Sequence, residues 1–416
     1  MQRLLDAGRA ADAVPAARRL LARAQAAGES AFPEAAYDLA LAHLSLGRAL
    51  RRSGDPQSAL TPLAEARLRF QKLADAGNQS AARMASASLT ERADCLCDLR
   101  QLDPAAAAYE EAMKLDEQRG DLRDVATGKF QLGTVRMLQR RYADALAAYT
   151  EARETFERLG EPATVAGIWH QLGMLFQQVG QYGTAEQGFQ ESLRIWVEKR
   201  DRPHEAMTLN ELGNLYSAMG RAEDAVRFYR QAADIYAARD IADLAKEGLT
   251  RNNIADELLK LGRHDEARRE IQRAIECKKP YGHAAEPWKT FAILTDLERA
   301  VGNAPAAAQA REQAIAAYLA YRRAGGGSHE LAAQLVAMVE QALESGQTAE
   351  MSAMLEQLIR DPDLDAAARQ RAATVVPALQ SILSGSRARA LAADPNLYFA
   401  DAAELHLLLD RLGAAP

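Results

Sequence analysis

Three stretches of this chain align without a gap. They are LGTVRMLQRRYADALAAYTEA (residues 132–152), LGMLFQQVGQYGTAEQGFQES (residues 172–192) and LGNLYSAMGRAEDAVRFYRQA (residues 212–232). Gly133, Gly173 and Gly213 stand 40 apart, as do Ala145, Ala185 and Ala225, and as do Tyr149, Phe189 and Tyr229. A fixed period of this size marks a repeat array, in which each unit buries its apolar face only against its neighbours. Length then ceases to guide domain count, because such an array grows without a single core.

Each unit reads as two helices. In the fourth, helix A is expected over 164–179 and helix B over 182–199. Ile168, Leu172, Leu175, Phe176 and Val179 fall three and four apart, as one buried helical stripe requires. Ala185, Phe189, Leu193 and Trp196 do the same in helix B, and Gly180 suits the left-handed residue that ends a helix. The same register recurs at Leu46-Gly47, Arg92-Ala93, Leu132-Gly133, Leu212-Gly213, Ile254-Ala255 and Leu294-Thr295, which makes seven units. Strand signals are absent, and alanine, the best helix former, dominates the composition. The chain is all-α on this reading.

The Leu-Gly pair in helix A, the glycine turn, the alanine in helix B and the aromatic four residues later resemble the tetratricopeptide repeat. The 40-residue period is similar to the longer repeats of kinesin light chains and of bacterial regulatory proteins. The resemblance runs from about Gly8 to Gly302 and departs from the family in lacking the usual proline near the end of helix B. It implies a right-handed superhelical α-solenoid of stacked helix-turn-helix repeats. It also implies a concave groove that binds a protein or peptide.

In that family the residues three before the glycine, one after it, and four or five after it face the groove. Carried over, they are Arg48 and Arg51 in the first unit and Asp94 and Asp98 in the second. Phe130, Thr134 and Met137 follow in the third, with Leu138 beside them, then His170, Met174 and Gln177 in the fourth. Asn210 and Asn214 come from the fifth, and Asn252 and Asp256 from the sixth. The lining is expected to start basic, turn acidic, pass through an apolar pocket and end in amides, which can both donate to and accept from a peptide backbone. Family members that clamp chaperone C-termini place lysine beside such asparagines. None stands beside Asn210 and Asn214, which argues against that ligand.

Composition closes off other classes. Charges of both signs are interspersed around a net of -6, so no footprint for nucleic acid is expected. Three cysteines, Cys95, Cys97 and Cys277, are an odd number and favour a reducing, cytoplasmic setting. No apolar run of membrane-spanning length occurs, so no membrane partner is expected. The seven histidines form no zinc pattern, Cys95 and Cys97 point to opposite sides of a helix, and no phosphate-binding loop is present. No catalytic residue, metal or cofactor is expected. Trp169, Trp196 and Trp288 are read as core.

The array is expected over 1–324, with a partial first repeat at 1–30, and a C-terminal helical cap over 325–416. The three glycines Gly325, Gly326 and Gly327 make the break. Gly8 to Ala13 align with the turn and early helix B of a unit. Leu4, Leu5 and Val14 look like an interior seam, as though the array continued upstream. The function expected is a protein-interaction scaffold or sensor. The alternative is a bacterial signalling regulator controlled by a peptide or small ligand and belonging to a larger multidomain protein.

Overall fold

The computed structural model describes residues 10–413 apart from His329 and Asp363. All regular structure among these residues is helical. The chain divides at His204/Glu205 into two compact units. In the first, α1 (Ala10–Ala27) precedes four A/B pairs. These are α2 (Ala35–Arg52) with α3 (Pro56–Asp75), α4 (Gln79–Asp98) with α5 (Leu102–Gln118), α6 (Leu122–Leu138) with α7 (Tyr142–Leu159), and α8 (Pro162–Gln178) with α9 (Tyr182–Lys199). Each helix packs on the next. The unit boundary falls in the first turn of α10 (Arg202–Ala218), which pairs with α11 (Ala222–Ala237). Then come α12 (Leu244–Lys260) with α13 (His264–Lys278) and, after a 3-10 turn, α14 (Pro287–Ala300) with α15 (Ala304–Arg323).

The repeated glycine holds each pair together. A Cβ on Gly173 would lie 2.7 Å from the Phe189 ring, and one on Gly133 would lie 2.7 Å from Tyr149. Helix B thus presses an aromatic ring onto bare backbone of helix A. Both rings are fully buried, and Tyr149 shares a core with Ile168, Leu172 and Leu175. The turn from A to B is left-handed at its tip. Gly180 takes φ 75° there, but Arg140 must take φ 60° at the same register. That costs an ordinary side chain about 1 kcal/mol.

The start of the array divides at the edge of the described residues. Leu4 and Leu5, the expected seam, lie outside them. Val14 is half-buried beside Leu46.

After α15, Gly325 turns the chain with φ 89°. The helices α16 (Leu331–Ser345), α17 (Thr348–Ile359), α18 (Ala366–Leu383) and α19 (Phe399–Arg411) share a core that includes Leu335, Val339, Leu355, Leu379 and Leu405. The last helix, α19, packs on both α15 and α16. Several links fasten it, and the segment just before it, to the array. Arg311 donates to the carbonyls of Asp394 at 2.9 Å and Leu397 at 3.0 Å. The Tyr318 hydroxyl donates to the buried Glu404 at 2.8 Å, and Phe399 meets the Tyr318 ring edge-on.

Candidate functional site

In three repeats the residue after the small A-helix residue (Ala93, Gly133 or Gly213) has a job inside the repeat. Tyr109, Tyr149 and Tyr229 each send their hydroxyl 15 residues back along the chain, to Asp94, to Thr134 at 3.0 Å and to Asn214 at 2.7 Å. A largely buried phenol needs a partner, and this position supplies it. Where helix B carries Phe189 there is no hydroxyl, and the position holds Met174. The signal was present in the sequence as a paired alternation. Asp94, Thr134 and Asn214, expected to line the groove, thus hold helix B of their own repeat.

The expected basic and acidic ends of the lining neutralise each other. Arg48 binds Glu91 at 2.7 Å, and Arg51 reaches Asp94 at 3.1 Å and Asp98 at 3.7 Å. Burial pushes the Asp94 carboxyl above its usual range, and the Tyr109 bond and the Arg51 charge only partly oppose it. A free carboxylate or cation would have to displace these pairs. Cys95 lies in the core beside them and Cys97 is half-buried.

In the second unit the amides are also engaged. Asn210 accepts from Thr250 at 3.3 Å, 40 residues on, and Asn214 donates to Glu211 at 3.0 Å. Ser217 donates to Glu257 at 2.6 Å, and Lys260 bridges Glu257 and Asp256 at 2.6 and 2.9 Å. Asp256 is exposed.

Three expected lining residues are corrected by their burial. Met137 joins the core of Tyr149 and Phe156, His170 lies edge-on to Phe189 at 5.5 Å, and Asn252 is 4% exposed with its Oδ1 unpaired among the described residues. The cause is geometric. Neighbouring A helices such as α6 and α8 touch, so part of the expected lining rows is closed between them.

Burial, helped by the charge of His204, pulls the His170 imidazole down to about 4. The unfolded chain therefore holds more protons at this site between about pH 6.5 and 4. Stability is full above that window and is lost as pH falls through it, by at most about 1.4 kcal/mol per pH unit. Urea midpoints measured from pH 7 to 5 should fall less steeply for His170→Phe than for the wild type. Equal slopes would refute this account.

One part of the face stays open. On α6 and α8, Phe130 and Met174 are half-buried, Leu138 is exposed, and the half-buried Gln177 side chain makes no hydrogen bond to any described residue. Phe130 leans on Tyr149, with ring centres 5.8 Å apart. A different stripe of α8 floors a cleft of about 470 Å³ between α7 and α9, lined by Leu146, Arg153, Trp169, Phe176 and Gln187 among others. Trp169 is half-buried there, unlike the buried Trp196 and Trp288. The charged groups of this cleft are already held. Arg153 lies 4.7 Å over the Trp169 ring and binds Glu157, and Glu191 binds Arg194.

The family model for the tetratricopeptide repeat matches residues 164–238, and a second model of that description matches 250–279. The model described as soluble NSF attachment protein, SNAP, matches 61–200. No curated protein matches the chain. Among solved structures it is similar to BtubC (BKLC) from P. vanneervenii, at 25% identity and a TM-score of 0.49, over 56% of this chain and 92% of that one. The apo form of the quorum sensor NprR from B. thuringiensis is 14% identical, with a TM-score of 0.46, over 69% of this chain and 83% of that one. A Podosopora anserina putative kinesin light chain with TPR-like repeats is 15% identical, with a TM-score of 0.41, over 47% and 95%. No helix among the described residues is long and apolar enough to cross a membrane.

Proposed function

We propose that this chain, a tetratricopeptide-repeat protein, is a non-catalytic interaction module that holds an extended segment of a protein partner against α6 and α8. One observation carries the reading. Along the expected lining Arg48 and Arg51 are tied to Glu91, Asp94 and Asp98, and Asn210 and Asn214 to Thr250 and Glu211, whereas Phe130, Leu138, Met174 and Gln177 leave apolar surface and a free amide. A partner's apolar side chain would sit on Phe130 and Met174, where methionine adapts to its shape. The Gln177 amide would donate to and accept from the adjoining peptide backbone. Asn214 and Asp256 would contribute at most from their exposed edges, in the second unit. On this reading residues 1–324 are the binding array and 325–416 a C-terminal helical region.

The test is a selection of random extended peptides on the full chain. Recovered peptides should share an apolar anchor, and Met174→Ala with Gln177→Ala should weaken them by about tenfold. Both side chains are only half-buried, so the fold should survive. Affinity unchanged in the folded double variant would overturn the assignment.

A further inference from the structure

The register of the B helices singles out one place. Eleven residues after the helix-B alanine, as from Ala59 to Phe70, stands a buried side chain, and in five repeats it is aromatic: Phe70, Phe156, Trp196, Tyr236 and Tyr318. The second repeat puts Asp116 there, bound by Arg119 at 2.6 Å. The sixth puts Lys278 there, at the end of α13. Lys278 is 5% exposed, the one lysine or arginine buried among the described residues, and it makes no hydrogen bond or ion pair with any of them. Burial pulls its amine down to about 8, opposed by the charge of Glu286 and aided by that of Lys289. A cation in a socket that elsewhere takes a ring, with no carboxylate bonded to it, weakens the packing around it.

The seam where α14 meets α12 and α13 carries further unpaired groups. At the preceding seam Thr250 donates to Asn210 at 3.3 Å. Asn252 and Thr290 hold those two register places here, three before Ala255 and five before Thr295. The Asn252 Oδ1 and the Thr290 Oγ1 are both sealed from water, and neither has a hydrogen-bond partner among the described residues. Each such atom costs the folded state a bond that water supplies once the seam is open. The linker is strained as well. Gly282 breaks the 3-10 turn at φ 55°, and Glu286 stands at φ 50° before α14, a left-handed backbone that glycine alone adopts freely. One ion pair, Arg268 with the buried Glu298, joins α13 to the far end of α14.

We propose that this seam is the hinge of the second unit, opening ahead of global unfolding at the Lys278 end while the Arg268–Glu298 pair acts as its pivot. Repeats touch only their neighbours, so one weak seam can part while the helix pairs on either side stay folded. The pair α14 and α15 carries with it the C-terminal helices, which α19 fastens to α15. Opening brings Lys278, Asn252 and Thr290 to water together, and a ligand that binds them there shifts the seam toward its open form.

The test is thiol labelling of the full chain, read site by site by mass spectrometry. Thr290 and Thr250 are both buried at the same register, so Thr290→Cys and Thr250→Cys report matching sites on two seams. The Thr290→Cys thiol should label about tenfold faster or more, with little dependence on low urea, because a local opening exposes little surface. Adding Lys278→Met, which leaves the socket apolar, should slow it about tenfold and leave the Thr250→Cys thiol as it was. Equal rates at the two sites overturn the proposal. So does a Thr290→Cys rate as steep in urea as global unfolding followed by circular dichroism, or one that Lys278→Met fails to slow. Should a cysteine variant not fold, hydrogen exchange of the unmodified chain decides. The first two turns of α14 should then exchange about tenfold faster than those of α12, and equal protection sinks the idea.

Discussion

Phe189→Ala should destabilise the first unit by about 3–5 kcal/mol, as expected for emptying a sealed aromatic site. The ring is fully buried and fills the space over Gly173 that helix A leaves bare. Its loss removes the wedge between α8 and α9 and also the edge contact to His170. Repeats contact only their neighbours, so the damage should be local. Hydrogen exchange should accelerate in α8 and α9 and stay near wild-type rates in α2 and α3. Uniform acceleration over the whole unit would contradict the picture of stacked, separately stabilised pairs.

Glu247→Ala should cost about 3 kcal/mol or more, because it strands cations that the carboxylate now neutralises. Glu247 is fully buried in the first turn of α12. Arg273 grips both its oxygens, at 2.8 and 3.0 Å, and Arg251 binds it at 2.8 Å. Burial pushes the Glu247 carboxyl up, but the bonds from Arg273 and Arg251 outweigh it and hold the group below its usual range. Its contribution is therefore present above the unfolded carboxyl pKa and is lost as pH falls through the folded one. Arg251 keeps Glu270 at 2.7 Å, and Arg273 is partly exposed, which limits the loss. Urea unfolding at pH 7 followed by exchange in α12 and α13 would measure it. A change below about 1 kcal/mol would mean that the cluster is solvated in solution.

How much of this was legible in advance depends on range. Helix A of the fourth unit was expected over 164–179 and runs Pro162–Gln178, and helix B matches at Tyr182–Lys199. These bounds come from local spacing and turn chemistry, which a sequence displays directly. The lining was legible only as positions. Whether a position is open depends on the next A helix, some 40 residues away, and so Met137, His170 and Asn252 are buried although their register suggested otherwise. The pairing of Tyr149 with Thr134, and the substitution of both in the Phe189–Met174 unit, could have been read from residues 15 apart. The contact between Tyr318 and Glu404 could not, since 86 residues and a stretch without periodicity separate them.

The fastening of α19 bears on how the molecule behaves at high concentration. A stack of like units whose final B helix lies bare offers the surface that a further unit would cover, and two molecules could supply it to each other without limit. Here Arg311, Tyr318 and Trp288 already face Leu397, Phe399 and Ala403. Peeling that helix away would expose an adhesive terminus, and end-to-end polymerisation would be the expected failure of a molecule truncated before Phe399.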